Sequence, residues 1–331
     1  MSINLHQLTI FHTVARSGSF SRAAVELSIS QPSVSIQVRE LERQFGVELF
    51  EQAGKSVRLT EAGRVLDDYA GRILSLIEET RAAIDEVKGL RRGRVLIGAT
   101  PTLGTYLLPG LLGRLKEQHP HLEITLQIAP SRTIQEMLHR HDLDLGVVGP
   151  KITFPDLQVV PVLTDEMVLV VAPSHRFAAL PSVDLGDLSG EPFVLRERSS
   201  ENREVVDDAL HRAGVRITPA LELEGVEMVK RAVAANLGIS ILSRFTIEIE
   251  AATGRLCIVP VRGLQIQRVI SVLYHKERRL PRGAQWFVDL ITPPQAAGGT
   301  ASHGQAAVDS HDTTVRPLRS PDPPVGASQE I

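Results

Sequence analysis

The chain has 331 residues, 43% of them apolar, which is enough for two or three folded units with cores of their own. The formal net charge of −3 excludes a globally cationic molecule, so any affinity for nucleic acid has to come from locally placed basic groups. A single cysteine, Cys257, excludes an internal disulfide framework and a cysteine-clustered zinc site. No signal-like region follows Met1, and no stretch reaches the roughly 18 apolar residues of a membrane span. The chain therefore reads as a cytoplasmic protein with no membrane partner.

Leu5, Leu8, Phe11, Val14 and Ala15 recur at helical spacing, and Ser17-Gly18 ends that helix. Ser19 is placed to cap a second helix, whose small face is Phe20, Ala23, Ala24 and Leu27. After the turn Ser28-Ile29-Ser30, a third helix starts with Ser30 as cap and Pro32 in its first turn, and it ends at Gly46. Its inward face is Val34, Val38, Leu41 and Phe45. The opposite face carries Pro32, Ser33, Ile36, Arg39, Glu40 and Arg43, flanked by Gln31, Ser35 and Gln37. Short hydroxyl and amide groups at a helix N-terminus reach base edges, and arginines further along reach phosphates. Residues 19 to 45 thus read as a helix-turn-helix, with Ser19, Ser21, Arg22, Gln31, Pro32, Ser33, Ser35, Ile36, Arg39 and Arg43 as candidate contacts to double-stranded DNA. A polar solvated face on a three-helix unit is the bland alternative.

The run Val47 to Phe50, the turn Ala53 to Ser56 and the return Val57 to Leu59 add a wing, with Lys55 at its tip and Arg58 on its second strand facing DNA. A long helix follows Thr60. Its Leu66, Ala70, Ile73, Ile77, Ile84 and Val87 form a period of 3.5, read as a dimer seam; packing on its own domain is the competing reading.

From Gly93 the pattern changes. A strand at Val95 to Ala99, a helix through Leu107 to Leu115, a strand at Leu122 to Ile128, a helix near Ile134 to His141 and a strand at Leu145 to Val148 make a β-α-β-α-β series. Strands at Met167 to Ala172, Phe193 to Leu195, Leu221 to Leu223, Ile239 to Leu242 and Cys257 to Val261 build a second α/β unit. A strand at Arg268 to His275 and a helix near Gln285 to Ile291 close the fold. In such sheets anionic ligands sit at strand carboxyl ends against helix N-termini. Hydroxyls recur there: Thr100 and Thr102, Ser131 and Thr133, Ser199 and Ser200, with Arg203 three residues past Ser200. Thr100, Thr102, Ser131, Thr133, Ser200 and Arg203 are the candidate effector contacts.

These residue groups carry a specific resemblance. Gly18-Ser19-Phe20, Ala23-Ala24, Ser30 to Ser35, Leu41-Glu42, Leu49-Phe50 and Leu59 to Gly63 resemble a LysR-type transcriptional regulator, and the likeness extends to about Ile291. It implies an all-α winged helix-turn-helix over residues 1–59, a linker and dimerisation helix over 60–92, and an effector domain over 93–293 resembling periplasmic solute receptors. Within that domain it implies two α/β subdomains, 93–162 with 268–293 and 163–267, joined by two strands near Val162 and Arg268. The tail, 294–331, reads as disordered. Many members have Arg where this chain has Ile36 and Gln52. Glu201 and Asn202 also depart from the family's small residues. Tyr106-Leu107-Leu108-Pro109 is similar to members governing carbon fixation or sulfur assimilation.

The expected function is a sequence-specific transcriptional regulator switched by a small anionic co-inducer, with no cofactor, acting as a homodimer or homotetramer, with RNA polymerase as a further candidate partner. A solute receptor and a metal-responsive repressor are the alternatives. The pairs His119/His121 and His139/His141 lack further ligands in sequence and are read as surface residues, so no metal site is expected. An enzyme is disfavoured, because the chain has no nucleophile elbow, phosphate-cradling loop or metal-ligand helix pair.

Overall fold

The computed structural model describes residues 3–53, 56–87 and 93–292. Lys55, the basic pair Arg91 and Arg92, and the tail lie outside the described residues, as does the side chain of Val87.

The chain opens with α1 (Leu5–Ser17), α2 (Phe20–Glu26) and α3 (Gln31–Phe45). Each start is chemically marked: Asn4, Ser19 and Ser30 accept from the backbone N–H of His6, Arg22 and Ser33. Gly18 (φ 61°) and Gly46 (φ 71°) end α1 and α3 in the left-handed region that glycine enters without a steric penalty. Ile10, Val14, Ala23, Ala24, Val34 and Val38 form one buried cluster, each large side chain contributing about 1.5–3 kcal/mol. The wing is the antiparallel pair β1 (Phe50–Ala53) and β2 (Ser56–Leu59), with Glu51 opposite Arg58.

Thr60 caps α4 (Glu61–Val87), accepting from Gly63 N–H and donating to the Glu48 carbonyl. The first half of the expected seam is used inside the chain. Ala70 is fully buried, and Leu66 and Ile73 pack with it against Leu8, Phe11, Leu41 and Leu49. Ile77 is half-buried, and Ile84 is exposed. A 3.5 period reports only that one helix face is covered, and here the covering helices are α1 and α3. Among the described residues, the large apolar side chains that α4 leaves open are Val65, Tyr69, Leu76 and Ile84. Of the expected seam, Leu66, Ala70 and Ile73 are thus occupied within the chain, and Ile84 stays open.

The effector half runs β3 (Arg94–Ala99), α5 (Leu108–Gln118), β4 (Glu123–Ile128), α6 (Ser131–His139), β5 (Leu145–Val148), β6 (Leu157–Val171), β7 (Val183–Asp184), α7 (Leu185–Leu188), β8 (Pro192–Arg196), α8 (Glu201–Arg212), β9 (Thr218–Leu223), α9 (Val226–Ala234), β10 (Ser240–Ser243), α10 (Glu248–Ala252), β11 (Cys257–Val259), β12 (Val261–Arg262), β13 (Ile266–His275) and α11 (Arg282–Ile291). The first three strands lie parallel in the order β4-β3-β5. From there the sheet continues antiparallel through β13 and β6 to β10, with β11 also on β6. β8 and β9 form a parallel pair, linked to the second unit by a bridge between Phe193 and Ile239.

The two units are therefore less separate than the sequence implies. β6 is 15 residues long and pairs with β13 from Ile266↔Met167 to His275↔Leu157, so both strands belong to both subdomains. Pro161 lies within β6, and opposite it the register shifts between Ile270 and Ser271, so the missing donor is absorbed by an irregularity. One core packs around Ile97, Leu108, Leu115, Val272 and Phe287, and another around Phe177, Phe193, Val206 and Ile239.

The DNA-binding and effector halves also touch. The α4 backbone comes so close to the turn after α6 that a Cβ on Gly71 would stand 2.2 Å from the Arg140 carbonyl oxygen. His12 on α1 reaches Asp67 on α4 through Nδ1 at 2.8 Å and Asp142 through Nε2 at 3.1 Å.

Candidate functional site

On α3 the outward residues Gln31, Pro32, Ser33, Ile36, Arg39 and Arg43 are exposed. Ile36 is 56% exposed at the middle of that face. The Ser33 hydroxyl pairs with Ser30 at 2.7 Å, and Gln31 donates to half-buried Ser35 at 2.9 Å, so the helix start is a pre-ordered set of small polar groups. Gln37 is held by Gln7, and Arg43 lies 3.6 Å from Glu40. On α2, Ser21 and Arg22 are exposed, and Ser19 is half-buried as the cap. Arg58 is exposed on the wing. One exposed residue that periodicity did not single out is Val25, 81% exposed on α2 beside Arg22.

An apolar Ile36 at the centre of this face offers a methyl contact where a basic residue would offer a hydrogen bond. Ile36→Ala should weaken sites with a T·A pair at one position by about 1 kcal/mol, roughly fivefold, and leave other sequences unchanged. Gel retardation across single-base variants checks this; uniform loss would contradict it.

At the cleft, the structure joins residues from both subdomains. Thr100 and Thr102 follow β3, and both are buried. Asn202, on the first turn of α8, donates to Thr102 Oγ1 at 3.1 Å and accepts from Arg268 Nη1. Arg268 lies on β13 opposite Asp165 of β6 and bonds it through Nε at 2.8 Å; both side chains are almost fully buried. Ser243 donates to the other Asp165 oxygen at 2.9 Å. Among the described residues, Thr100 Oγ1 is buried without a hydrogen-bond partner, whereas Arg268 Nη2 stands 2.8 Å from Asp165 Oδ2 in the ion pair. Ser200 precedes α8 as its N-cap but makes no side-chain cap bond, which leaves first-turn N–H groups available. A second bridge runs from the Tyr106 hydroxyl to Glu227, whose carboxylate also meets Lys230 at 2.6 Å. Burial first, then the hydrogen bond to Glu227, pushes the Tyr106 hydroxyl well above its ordinary range.

The other expected contacts sit differently. Arg203 is buried and occupied: Nε bonds both oxygens of Asp207 at 2.7 Å, and Nη1 donates to the Arg196 carbonyl. An i, i+4 partner was visible in the sequence and explains why its charge is turned along α8. Ser131 accepts from Gln135 at 3.2 Å, and Thr133 is exposed. Glu201 points away from Asn202, accepting from the Lys151 N–H at 3.2 Å beside Gly149; burial raises its pKa. Asn202 and Arg268 are the cleft residues that sequence reasoning had not assigned as contacts. Asn202 stood out only as a departure from a small-residue pattern, and Arg268 only as part of a strand.

A winged helix-turn-helix joined to a two-lobed cleft of this kind defines a ligand-sensing DNA-binding regulator. The chain belongs to the LysR family: residues 5–64 match the bacterial regulatory helix-turn-helix protein, lysR family, and residues 88–293 match the LysR substrate binding domain. A probable RuBisCO transcriptional regulator of Cyanidioschyzon merolae is 36% identical over 293 residues, covering 87% of this chain and 97% of the relative. Full-length OxyR from Pseudomonas aeruginosa has the same fold, with a TM-score of 0.72 at 23% identity, covering 91% of this chain and all of that one. The regulatory domain of Synechocystis CcmR in complex with 2-PG is 29% identical with a TM-score of 0.56, covering 60% of this chain and 95% of that one. The protein is a transcriptional regulator and not an enzyme. Among the described residues, no helix is long and apolar enough to cross a membrane.

Proposed function

We propose that this regulator responds to a small anionic metabolite held between β3 and α8, and that it acts on genes of carbon assimilation. The observation that carries the reading is the Asn202 bridge, which links Thr102 of one lobe to Arg268 between the lobes while Thr100 Oγ1 stays buried without a hydrogen-bond partner. A buried polar atom without a partner costs about 1–3 kcal/mol, so a ligand that satisfies the Thr100 hydroxyl is favoured there. Because Asp165 neutralises Arg268, attraction for an anion comes from the spare guanidinium N–H groups and from the α8 N-terminus. The relatives' names support a role in carbon assimilation, and the 2-PG complex of CcmR supplies the first probe.

Titration calorimetry on the full chain tests the reading. One 2-PG per chain is expected, with at least tenfold weaker binding for Asn202→Ala. Failure of 2-PG and other small phosphates and carboxylates, with tight binding of a neutral or cationic compound unaffected by Asn202→Ala, would overturn it.

The assembly is proposed to be a homodimer through the open stripe of α4, Val65, Tyr69, Leu76 and Ile84. Leu76 is 62% exposed, so Leu76→Glu leaves the monomer core intact while placing like charges across the paired helices. Sedimentation should show a shift from dimer to monomer; an unchanged mass would count against this face.

A further inference from the structure

Four side chains from three separate stretches meet at the C-terminal end of α6. His139 is the last residue of α6, His141 follows two residues later, Asp156 precedes β6, and His275 ends β13. The ligating atoms of His139, Asp156 and His275 all lie within 4.8 Å of one another. His139 Nδ1 stands 2.6 Å and His275 Nε2 3.1 Å from the same oxygen, Asp156 Oδ2. The His141 ring packs 4.3 Å from that of His275 at 45°.

A carboxylate receiving two imidazole N–H groups would be a sufficient account of the first three residues. His141 is what it leaves over. Both of its ring nitrogens are buried with no hydrogen-bond partner among the described residues. Its backbone has φ 61°, the slot after a helix where a side chain costs about 1–2 kcal/mol relative to glycine. An imidazole is thus held at a strained position, with its nitrogens unused, against a histidine that is itself within reach of an acid and a second histidine.

We propose that His139, Asp156, His275 and His141 bind a divalent late-transition-metal ion, with Zn2+ as the reference case. Imidazole nitrogens with one carboxylate oxygen suit such ions, and a tetrahedral site with bonds near 2.0–2.1 Å sets ligand atoms roughly 3.4 Å apart. His139 Nδ1 and His275 Nε2, at 2.6 and 3.1 Å from Asp156 Oδ2 and within 4.8 Å of each other, lie near that spacing, and rotation of the His141 ring packed against His275 brings in the fourth ligand. Nε2 ligation moves the His275 ring proton to Nδ1 and gives up the long contact in which Nδ1 accepts from Glu277 N–H at 3.3 Å. The neighbouring guanidinium groups are already paired, Arg278 with Asp144 and Arg72 with Glu277. His139 and Asp156 are half-buried, which gives the ion an entry path. The residue after His141 is Asp142, the partner of His12, so the ion braces the turn on which the DNA-binding half rests.

The test is equilibrium dialysis of the metal-stripped full-length chain against Zn2+ alone. One ion per chain is expected, bound at least tenfold more weakly by Asp156→Asn and by His139→Gln. His141→Gly keeps the left-handed turn, so it should bind Zn2+ more weakly while melting no lower than wild type in the absence of metal. Wild-type protein loaded with Co2+ should show the intense visible band of a four-coordinate site, a readout that needs no variant. Absence of saturable binding, undiminished binding by a His139→Gln/Asp156→Asn chain, or the pale spectrum of a six-coordinate ion would each overturn the proposal.

Discussion

Arg268→Ala is expected to destabilise the effector half by roughly 3–5 kcal/mol, a large share of the net stability of a folded domain. The pair it breaks is the most enclosed in the cleft, with side-chain exposures of 1% for Arg268 and 0% for Asp165. Removing the guanidinium leaves a buried carboxylate with, among the described residues, the Ser243 hydroxyl as its remaining side-chain partner, and it also removes the group that orients Asn202. The cost therefore comes from an orphaned charge more than from a lost attraction. The double variant Arg268→Met/Asp165→Leu separates the two roles: exchanging a buried pair for apolar side chains is commonly neutral or stabilising, so melting should recover, while ligand affinity should not. Denaturant unfolding checks the first part. A single variant within about 1 kcal/mol of wild type would show that Asp165 is not confined as described.

The contact between the two halves should weaken as pH rises from about 6.5 to 9. His12 is buried between Asp67 and Asp142, with side-chain exposures of 13%, 5% and 6%. Burial works against its charged form, but hydrogen bonds to Asp142 and Asp67 and their charges outweigh that, raising the pKa from 6.5 to about 9. Only the imidazolium donates from both nitrogens, so only that form holds both carboxylates. The sign follows from the folded value lying above the unfolded one. The stabilisation is complete below about pH 6.5 and is lost as pH rises through 9, amounting to on the order of 3 kcal/mol. Melting curves of wild type and His12→Asn between pH 6 and 9.5 should converge at the alkaline end. Parallel curves would contradict the assignment.

These two sites mark where sequence reading stops. The helix-turn-helix was legible residue by residue, because caps, glycine stops and inward faces are local: Ser19, Ser30, Gly18 and Gly46 all serve as their chemistry implies. The α/β succession was legible for the same reason, through short apolar strands between amphipathic helices. What was not legible depends on pairs far apart in the chain. Asp165 and Arg268 are brought together by the β6–β13 register, and His12 and Asp142 by the docking of two domains. The first half of the α4 seam was not legible as internal, because periodicity identifies a covered face without naming what covers it, and Leu66, Ala70 and Ile73 are covered from within. The same limit applied to His139 and His141, whose neighbours Asp156 and His275 arrive from other segments.

The central claim is that a ligand in the cleft changes how the helix-turn-helix engages DNA, which requires the ligand to bind two arrangements of the protein with different affinity. Footprinting of the DNA upstream of the protein's own gene, with and without 2-PG, tests it most directly. A sequence-specific footprint over two half-sites is expected, its extent or affinity changing with ligand and that change disappearing in Asn202→Ala. Protection independent of sequence, or a ligand that binds the cleft and leaves the footprint and affinity unaltered, would contradict it.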